Sequence, residues 1–305
     1  LQHSDGSFVD MLGRLLAQPK AANATASAAV LIGLAGRGIQ LSRSPIMHER
    51  EGARLGISYS YVLIDFDRLG LPDSDLGGII AAAEQMGFAG LNITHPFKQS
   101  VIQYLGWMAP EAAAIGAVNT VVFANGVRQG HNTDAWGFAE SFCEGMADCS
   151  LERVVQFGAG GAGAAVAYTL MELGVGELHI IDNDGERARE LAQRMTARFG
   201  KPVVAETDVA GTVMAADGIV NTTPVGMAKY PGVPFPSGLL RTEQWVAEII
   251  YFPEETELLR KARALGCRAL AGTGMAVYQA VRAFELFTGI APDRAAMAGH
   301  FEAMS

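Results

Sequence analysis

The sequence predicts a two-domain α/β fold, and three observations carry that expectation. Apolar runs of strand length alternate with helical periods from Val30 onward. A glycine-rich turn, Gly158 to Gly163, opens a second alternating series. Beyond Met275 the pattern is helical only, so the C-terminal helices have no strand left to build and are expected to return to the first domain. A length of 305 residues lies between one large domain and two medium ones. Half the residues are apolar and 36 are glycine, as in α/β proteins with many tight strand-to-helix turns.

Phe8–Ala17 has a weak amphipathic helical period, and Pro19–Ala29 is rich in Ala, Asn, Thr and Ser; residues 1–29 are read as a flexible lead-in. Val30–Ala35 is the first strand. Helix Pro45–Leu55, strand Tyr59–Ile64, helix Asp75–Met86, strand Gly90–Ile93 and helix Lys98–Leu105 follow, which points to a mostly parallel sheet. Asn119–Phe123 and Val127–His131 read as a hairpin across Asn125-Gly126, two residues suited to positive φ. A helix over Asp134–Cys143 leads into the second series, from Arg153 to about Ala271. Met275–Phe287 and Pro292–Met304 are the last helices. The expected domains are 30–134 with 273–305, and 135–272.

The net charge of −9 argues against nucleic acid and anionic membrane as partners. Cys143, Cys149 and Cys267 form no CxxC pair, so they read as reduced thiols with no metal site. No apolar run has membrane-spanning length and no secretion signal is evident, so a cytoplasmic location is expected.

In the second domain the strand Arg153–Phe157 runs into Gly158-Ala159-Gly160-Gly161-Ala162-Gly163 and then an apolar helix. Gly158 permits the turn, Gly160 lets backbone approach a pyrophosphate, and Gly163 lets helix and strand pack closely. Phosphates sit well on the free N–H groups at such a helix start, so this is a Rossmann-type domain. The next strand, Glu177–Ile181, ends in Asp182, where the ribose hydroxyls need an acceptor. A carboxylate there favours NAD over the 2′-phosphate of NADP; a strand-end Asp solvated in a turn is the plainer alternative. Arg187 is the one nearby cation and leaves NADP as a weaker option.

Three polar stretches mark strand ends of the first domain. Ser42 and Ser44 precede Pro45, where Ser44 reads as a helix N-cap and the two hydroxyls also suit a carboxylate. Asn92-Ile93-Thr94-His95-Pro96-Phe97-Lys98 follows a buried strand, and Lys98 opens a helix where α/β sheets place ligands. Burial would bring Lys98 toward acid/base use, while His95 reads as packed or locally bonded. Asn119 heads an apolar strand, and Asp134 either caps a helix or joins Lys98 as a proton-transfer pair.

Taken together, SRSP at Ser42, NITHPFK at Asn92, GAVNT at Gly116, HNTD at His131, GAGGAG at Gly158 and GMAVYQA at Gly274 resemble the shikimate/quinate dehydrogenase family, in family order from about Val30 to the C-terminus. The resemblance implies that Ser42, Ser44 and Tyr251 bind a ring carboxylate, that Asn92, Thr94, Asn119 and Gln279 hold ring hydroxyls, and that Lys98 and Asp134 are the catalytic pair. It implies a cofactor groove of Gly158, Ala159, Gly160, Gly161, Ala162, Gly163, Asp182, Asn183, Arg187, Asn221 and Thr222, with Gly272 and Met275 against the nicotinamide. Asp182-Asn183-Asp184 stands where the NADP-dependent branch carries Asn-Arg-Thr, and Arg37-Gly38-Ile39-Gln40-Leu41 departs from that branch's Asn-Pro-Ile-x-His. Both departures resemble the NAD-preferring quinate/shikimate branch. The implied reaction is reversible oxidation of shikimate to 3-dehydroshikimate, with quinate or an aminoshikimate-type acid as alternatives and a non-catalytic dinucleotide sensor as the other class. The expected partner is the small-molecule substrate; a homodimer stays open.

Overall fold

The computed structural model describes residues 5–17 and 30–303. Two compact units divide the chain: Leu1–Thr133 with Ala280–Ser305 (unit 1), and Asp134–Gln279 (unit 2). In order, unit 1 contains α1 (Asp5–Leu16), β1 (Val30–Gly36), α2 (Ser44–Arg54), β2 (Tyr59–Asp65), α3 (Phe66–Leu69), α4 (Leu76–Gln85), β3 (Gly90–Ile93), β4 (Trp107–Met108), α5 (Pro110–Ile115), β5 (Thr120–Ala124) and β6 (Val127–His131). Unit 2 takes α6 (Thr133–Met146), β7 (Arg153–Phe157), α7 (Gly161–Glu172), β8 (Glu177–Ile181), α8 (Gly185–Phe199), β9 (Val203–Ala205), α9 (Val209–Ala215), β10 (Gly218–Asn221), β11 (Trp245–Glu248), α10 (Glu257–Leu265) and β12 (Arg268–Leu270). Helix α11 (Thr273–Thr288) begins in unit 2 and ends in unit 1, to which α12 (Arg294–Glu302) belongs.

The sheet of unit 1 has the order β2-β1-β3-β5-β6-β4. Three of its pairings are parallel, β1 with β2 and β3 and β4 with β6, and two are antiparallel, β5 with β3 and β6. The hairpin causes this, with Asn125 (φ 53°) and Gly126 (φ 71°) reversing the chain as the primed turn requires. Helix α1 corrects the expected flexible lead-in. Phe8 and Leu12 on its apolar face are buried in one cluster with Ile79 and Ile80 of α4, so α1 packs its apolar face into the unit 1 core. The expected flexible stretch Pro19–Ala29 lies outside the described residues.

Lys98 does not open a helix. It sits in a turn, with a short 3₁₀ segment following at Ser100–Tyr104. Its carbonyl accepts the Val118 N–H at 2.7 Å, a long-range bond that takes the acceptor a helix would use.

Unit 2 holds a wholly parallel sheet, β12-β11-β10-β7-β8-β9. In chain order this is the doubly wound 3-2-1-4-5-6 arrangement, whose strand order reverses between β7 and β10. The ends of those two strands are paired, Phe157 with Asn221. The crevice where α/β sheets place ligands therefore lies beside Gly158 and Thr222. The first turns of α11 belong to unit 2, not to the first domain as expected. Gly137 of α6 permits this, since a Cβ there would lie 2.7 Å from the Gln279 nitrogen and 2.8 Å from the Met275 oxygen.

Candidate active site

In unit 1 the first residues of the loop after β1, Gly38 to Gln40, converge on the Asp65 carboxylate. Asp65 accepts from the Gly38 and Ile39 N–H groups at 3.0 and 3.1 Å and from Gln40 Nε2 at 2.9 Å. Burial pushes its pKa up, but bonds from Gln40, Gly38, Asp67 and Ile39 together hold it below the usual value. Arg37 points to Asp67 at 2.7 Å and to Asp73. Ser44 is not the N-cap that was expected: Arg43 occupies that position, in helical conformation, and Ser42 Oγ accepts the Ser44 N–H at 3.4 Å. Ser42 and Ser44 are thus brought together at the start of α2. Arg43 is anchored by Phe301 of α12, over its ring at 4.5 Å and on its carbonyl at 3.3 Å.

Asn92 and Asn119 share a buried network. Tyr61 Oη donates to Asn92 Oδ1 at 2.8 Å, and Asn92 Nδ2 donates to Thr120 Oγ1 at 3.0 Å. Asn119 Oδ1 accepts the Thr133 N–H at 2.7 Å, while Asn119 Nδ2 donates to Thr133 Oγ1 at 2.9 Å. Asn119 therefore caps the start of α6, directly before Asp134. Among the described residues, one lone pair on Asn92 and one amide hydrogen on Asn119 are left for a ligand. Thr94 is half-buried where β3 ends, its methyl against Gly36. His95, expected packed or locally bonded, has an exposed side chain and uses its carbonyl to accept the Arg37 N–H at 3.0 Å.

In unit 2 the glycine turn has the geometry that a dinucleotide needs. Gly158 has φ +100°, and a Cβ on it would lie 2.6 Å from Thr222 Oγ1. A Cβ on Gly163 would strike the Gly158 carbonyl, whereas Gly160 opens onto free space. Gly160 is the N-cap of α7 and, among the described residues, no side chain caps that start. The first N–H groups of the helix, from Gly161 through Ala162 to Gly163, thus form an anion cradle, and the residues present fit a pyrophosphate.

Asp182 is more engaged than a strand-end carboxylate suggests. Its Oδ2 accepts the Ala159 N–H at 2.6 Å, and its Oδ1 takes the Asp184 N–H and Arg187 Nη2, both at 2.8 Å. Burial pushes its pKa up, yet Arg187 and the two backbone N–H groups outweigh that and keep it low. Arg187 also reaches Asn183 Oδ1 at 3.4 Å. Asp184 caps α8 through the Glu186 and Arg187 N–H groups.

Thr222 Oγ1 donates to the Phe157 and Gly158 carbonyls at 2.7 and 3.0 Å, tying the β10 loop to the glycine turn. Gly272 packs on the backbone of Ile249 and Ile250, and Met275 is buried. Tyr251 is half-buried in the loop after β11, and Gln279 Nε2 donates to the Ala276 carbonyl at 3.0 Å. Lys98 thus belongs to unit 1, and Asp134, Tyr251 and Gln279 to unit 2.

Two residues escaped the sequence reading. Gln156, fully buried in β7, donates to the carbonyls of Gly158 at 2.8 Å and Gly163 at 2.9 Å. An amide one residue inside an apolar strand before a glycine turn was the signal. Glu248, buried at the end of β11, accepts from Asn221, Ile249, Ile250 and Thr256. Burial pushes its pKa up to about 7, against these hydrogen bonds. Among the described residues no cluster of His, Cys, Asp and Glu is arranged to hold a metal, and no helix is long and apolar enough to cross a membrane.

Comparison with known proteins adds the following. Residues 34–121 match the model of the shikimate dehydrogenase substrate binding domain, and residues 272–299 that of the shikimate 5'-dehydrogenase C-terminal domain. A protein of Streptomyces avermitilis named shikimate dehydrogenase (NADP(+)) is 56% identical over 86% of this chain and 91% of its own. One of Corynebacterium glutamicum named quinate/shikimate dehydrogenase (NAD(+)) is 47% identical over 87% of this chain and 95% of its own. The structure of quinate dehydrogenase from Corynebacterium glutamicum in complex with NAD superposes with TM-score 0.84 at 46% identity, covering 90% of this chain and 99% of that one.

Proposed function

The chain belongs to the shikimate dehydrogenase family, and from that premise we propose that it reversibly oxidises shikimate to 3-dehydroshikimate, with NAD preferred. The supporting observation is the Asp182–Arg187 pair at the end of β8. The carboxylate keeps a lone pair for a ribose hydroxyl, while the Arg187 guanidinium is held by that carboxylate at 2.8 Å. A 2′-phosphate meets a negative charge and has to draw Arg187 away from it, so NADP is the weaker cofactor.

The nicotinamide, when bound, supplies the hydride acceptor. Ser42, Ser44 and Tyr251 bind the ring carboxylate, and Asn92, Thr94, Asn119 and Gln279 hold ring hydroxyls. Lys98 Nζ receives the proton of the reacting hydroxyl and its charge stabilises the developing alkoxide; Asp134 partners Lys98 in that transfer. Gly158 to Gly163, Asn183 and Thr222 carry the dinucleotide, Asn221 shapes the Thr222 loop from its buried position, and Gly272 and Met275 lie toward the nicotinamide.

Quinate is the second reading, favoured by the likeness to the Corynebacterium quinate dehydrogenase. Steady-state kinetics with shikimate and quinate, each against NAD and NADP, tests both. The highest kcat/KM is expected for shikimate with NAD; a higher value for quinate replaces the substrate, and a preference for NADP removes the Asp182 account.

A further inference from the structure

We propose that Glu248 is a positioning residue whose single carboxylate sets two binding loops at once, the cofactor loop after β10 and the Tyr251 loop after β11. This rests on the roles given above to Thr222 and Tyr251.

Asn221 and Glu248 are the last paired residues of β10 and β11. Asn221 Nδ2 lies 3.1 and 3.0 Å from the two carboxylate oxygens of Glu248. The Ile249 and Ile250 N–H groups donate to Oε1 at 3.0 and 3.1 Å, and Thr256 Oγ1 donates to Oε2 at 3.2 Å. Donors from three segments converge on one group, and an ionised carboxylate is the side chain that only accepts. Among the described residues no ion pair to Glu248 is seen, so the site keeps an acidic group buried at a cost an apolar side chain would avoid.

The consequence for Asn221 is directional. With its amide nitrogen turned to Glu248, its oxygen must face the other way, where it accepts the Thr223 N–H at 3.0 Å and Thr223 Oγ1 at 2.7 Å. Asn221 Nδ2 also reaches the Val225 carbonyl at 2.9 Å. The loop 221–225 is thereby folded round an amide whose orientation Glu248 dictates. Thr222, in the middle of that loop, shares the Gly158 carbonyl with Gln156. On the other side, the Ile249 and Ile250 N–H bonds fix the backbone immediately before Tyr251, and Thr256 closes the same loop as the N-cap of α10.

The test uses the full-length enzyme, with the dissociation constant of NAD from fluorescence titration. The KM is measured for whichever of shikimate and quinate the wild type turns over faster. In Glu248→Gln an N–H₂ confronts the converging donors, and both constants are expected to rise about tenfold. Glu248→Asp keeps the acceptor and is expected to recover part of each. Glu248→Gln with Asn221→Asp restores a donor facing an acceptor and is expected to recover part of the NAD affinity. A role in stability alone would lower the melting temperature and the active fraction while leaving both constants unchanged. Constants within twofold of wild type in Glu248→Gln, or a rise in only one of them, overturn the proposal. If Glu248→Gln does not fold, unchanged constants in Glu248→Asp overturn it instead, and both raised support it. Thr222→Val and Tyr251→Phe separate the two levels: they are expected to raise the NAD constant alone and the acid KM alone. If neither does, the site assignments fail and the coupling falls with them; if both do and Glu248→Gln does not, only the coupling fails.

Discussion

Lys98 and Asp182 are the residues on which the proposed chemistry turns, and each carries a test. Lys98→Ala removes the proposed proton acceptor and keeps the backbone carbonyl that accepts the Val118 N–H, so the loop should persist. Turnover is expected to fall by about 10²–10⁴ with the acid still binding, the scale of a lost general acid/base; near-normal turnover in stopped-flow assays would remove Lys98 from the mechanism. Asp182→Ala removes the proposed ribose acceptor and releases Arg187 together, since the two are joined at 2.8 Å. The ratio of kcat/KM for NAD over NADP should fall by at least about tenfold, a loss of ~1.4 kcal/mol in discrimination. An unchanged ratio would show that cofactor choice is made elsewhere.

At the scale of elements, the strand–turn–helix of β7 and α7 shows what sequence can and cannot disclose. Gly158, Gly160 and Gly163 were legible because their demand is local: a positive φ, an open approach and a close packing contact. Gln156 was not, because its meaning depends on two carbonyls that only the folded turn brings to it. Gln156→Leu leaves those carbonyls short of a donor and should cost roughly 1–3 kcal/mol. A lower melting temperature and weaker NAD binding are expected, and native values of both would make the amide incidental. Lys98 and Ser44 teach the same lesson. Each was expected at a helix start, but Val118 drew the Lys98 carbonyl out of a helix, and Arg43 took the cap position expected for Ser44. Asn119 was read as an amide in need of partners, and Thr133 and Thr120 are those partners.

Across the whole molecule the two units should respond to pH in opposite senses. In unit 1, burial holds His48 at about 3, against an ordinary 6.5. The unfolded chain takes up that proton near 6.5 and the folded chain does not, so this stability is present above 6.5 and lost as pH falls toward 3. His131 and His300, also in unit 1, are lowered by burial and act in the same sense. In unit 2, Glu248 is raised from 4.5 to about 7, so its contribution is present below 4.5 and lost as pH rises through 7. Asp65 and Asp182 are lowered from 3.8 and act below this range. Hydrogen exchange followed by mass spectrometry between pH 4.5 and 6.5, corrected for intrinsic rates, should show unit 1 gaining protection and unit 2 losing it. His48→Phe should flatten the first trend. Parallel trends in both units would refute the assignment.

The division of unit 1 into Leu1–Thr133 and Ala280–Ser305 bears on how the chain is made. Several groups of its first part wait for the second: Tyr59 for the ring of Phe284, stacked at 5.2 Å; Glu51 for the Asp293 N–H at 2.8 Å; half-buried Arg43 for Phe301. During synthesis all of unit 2 leaves the ribosome before those partners do. Unit 2, though second in the chain, is therefore the first that can finish folding, and a chain stalled at Gln279 exposes an aromatic surface on unit 1 that chaperones would recognise.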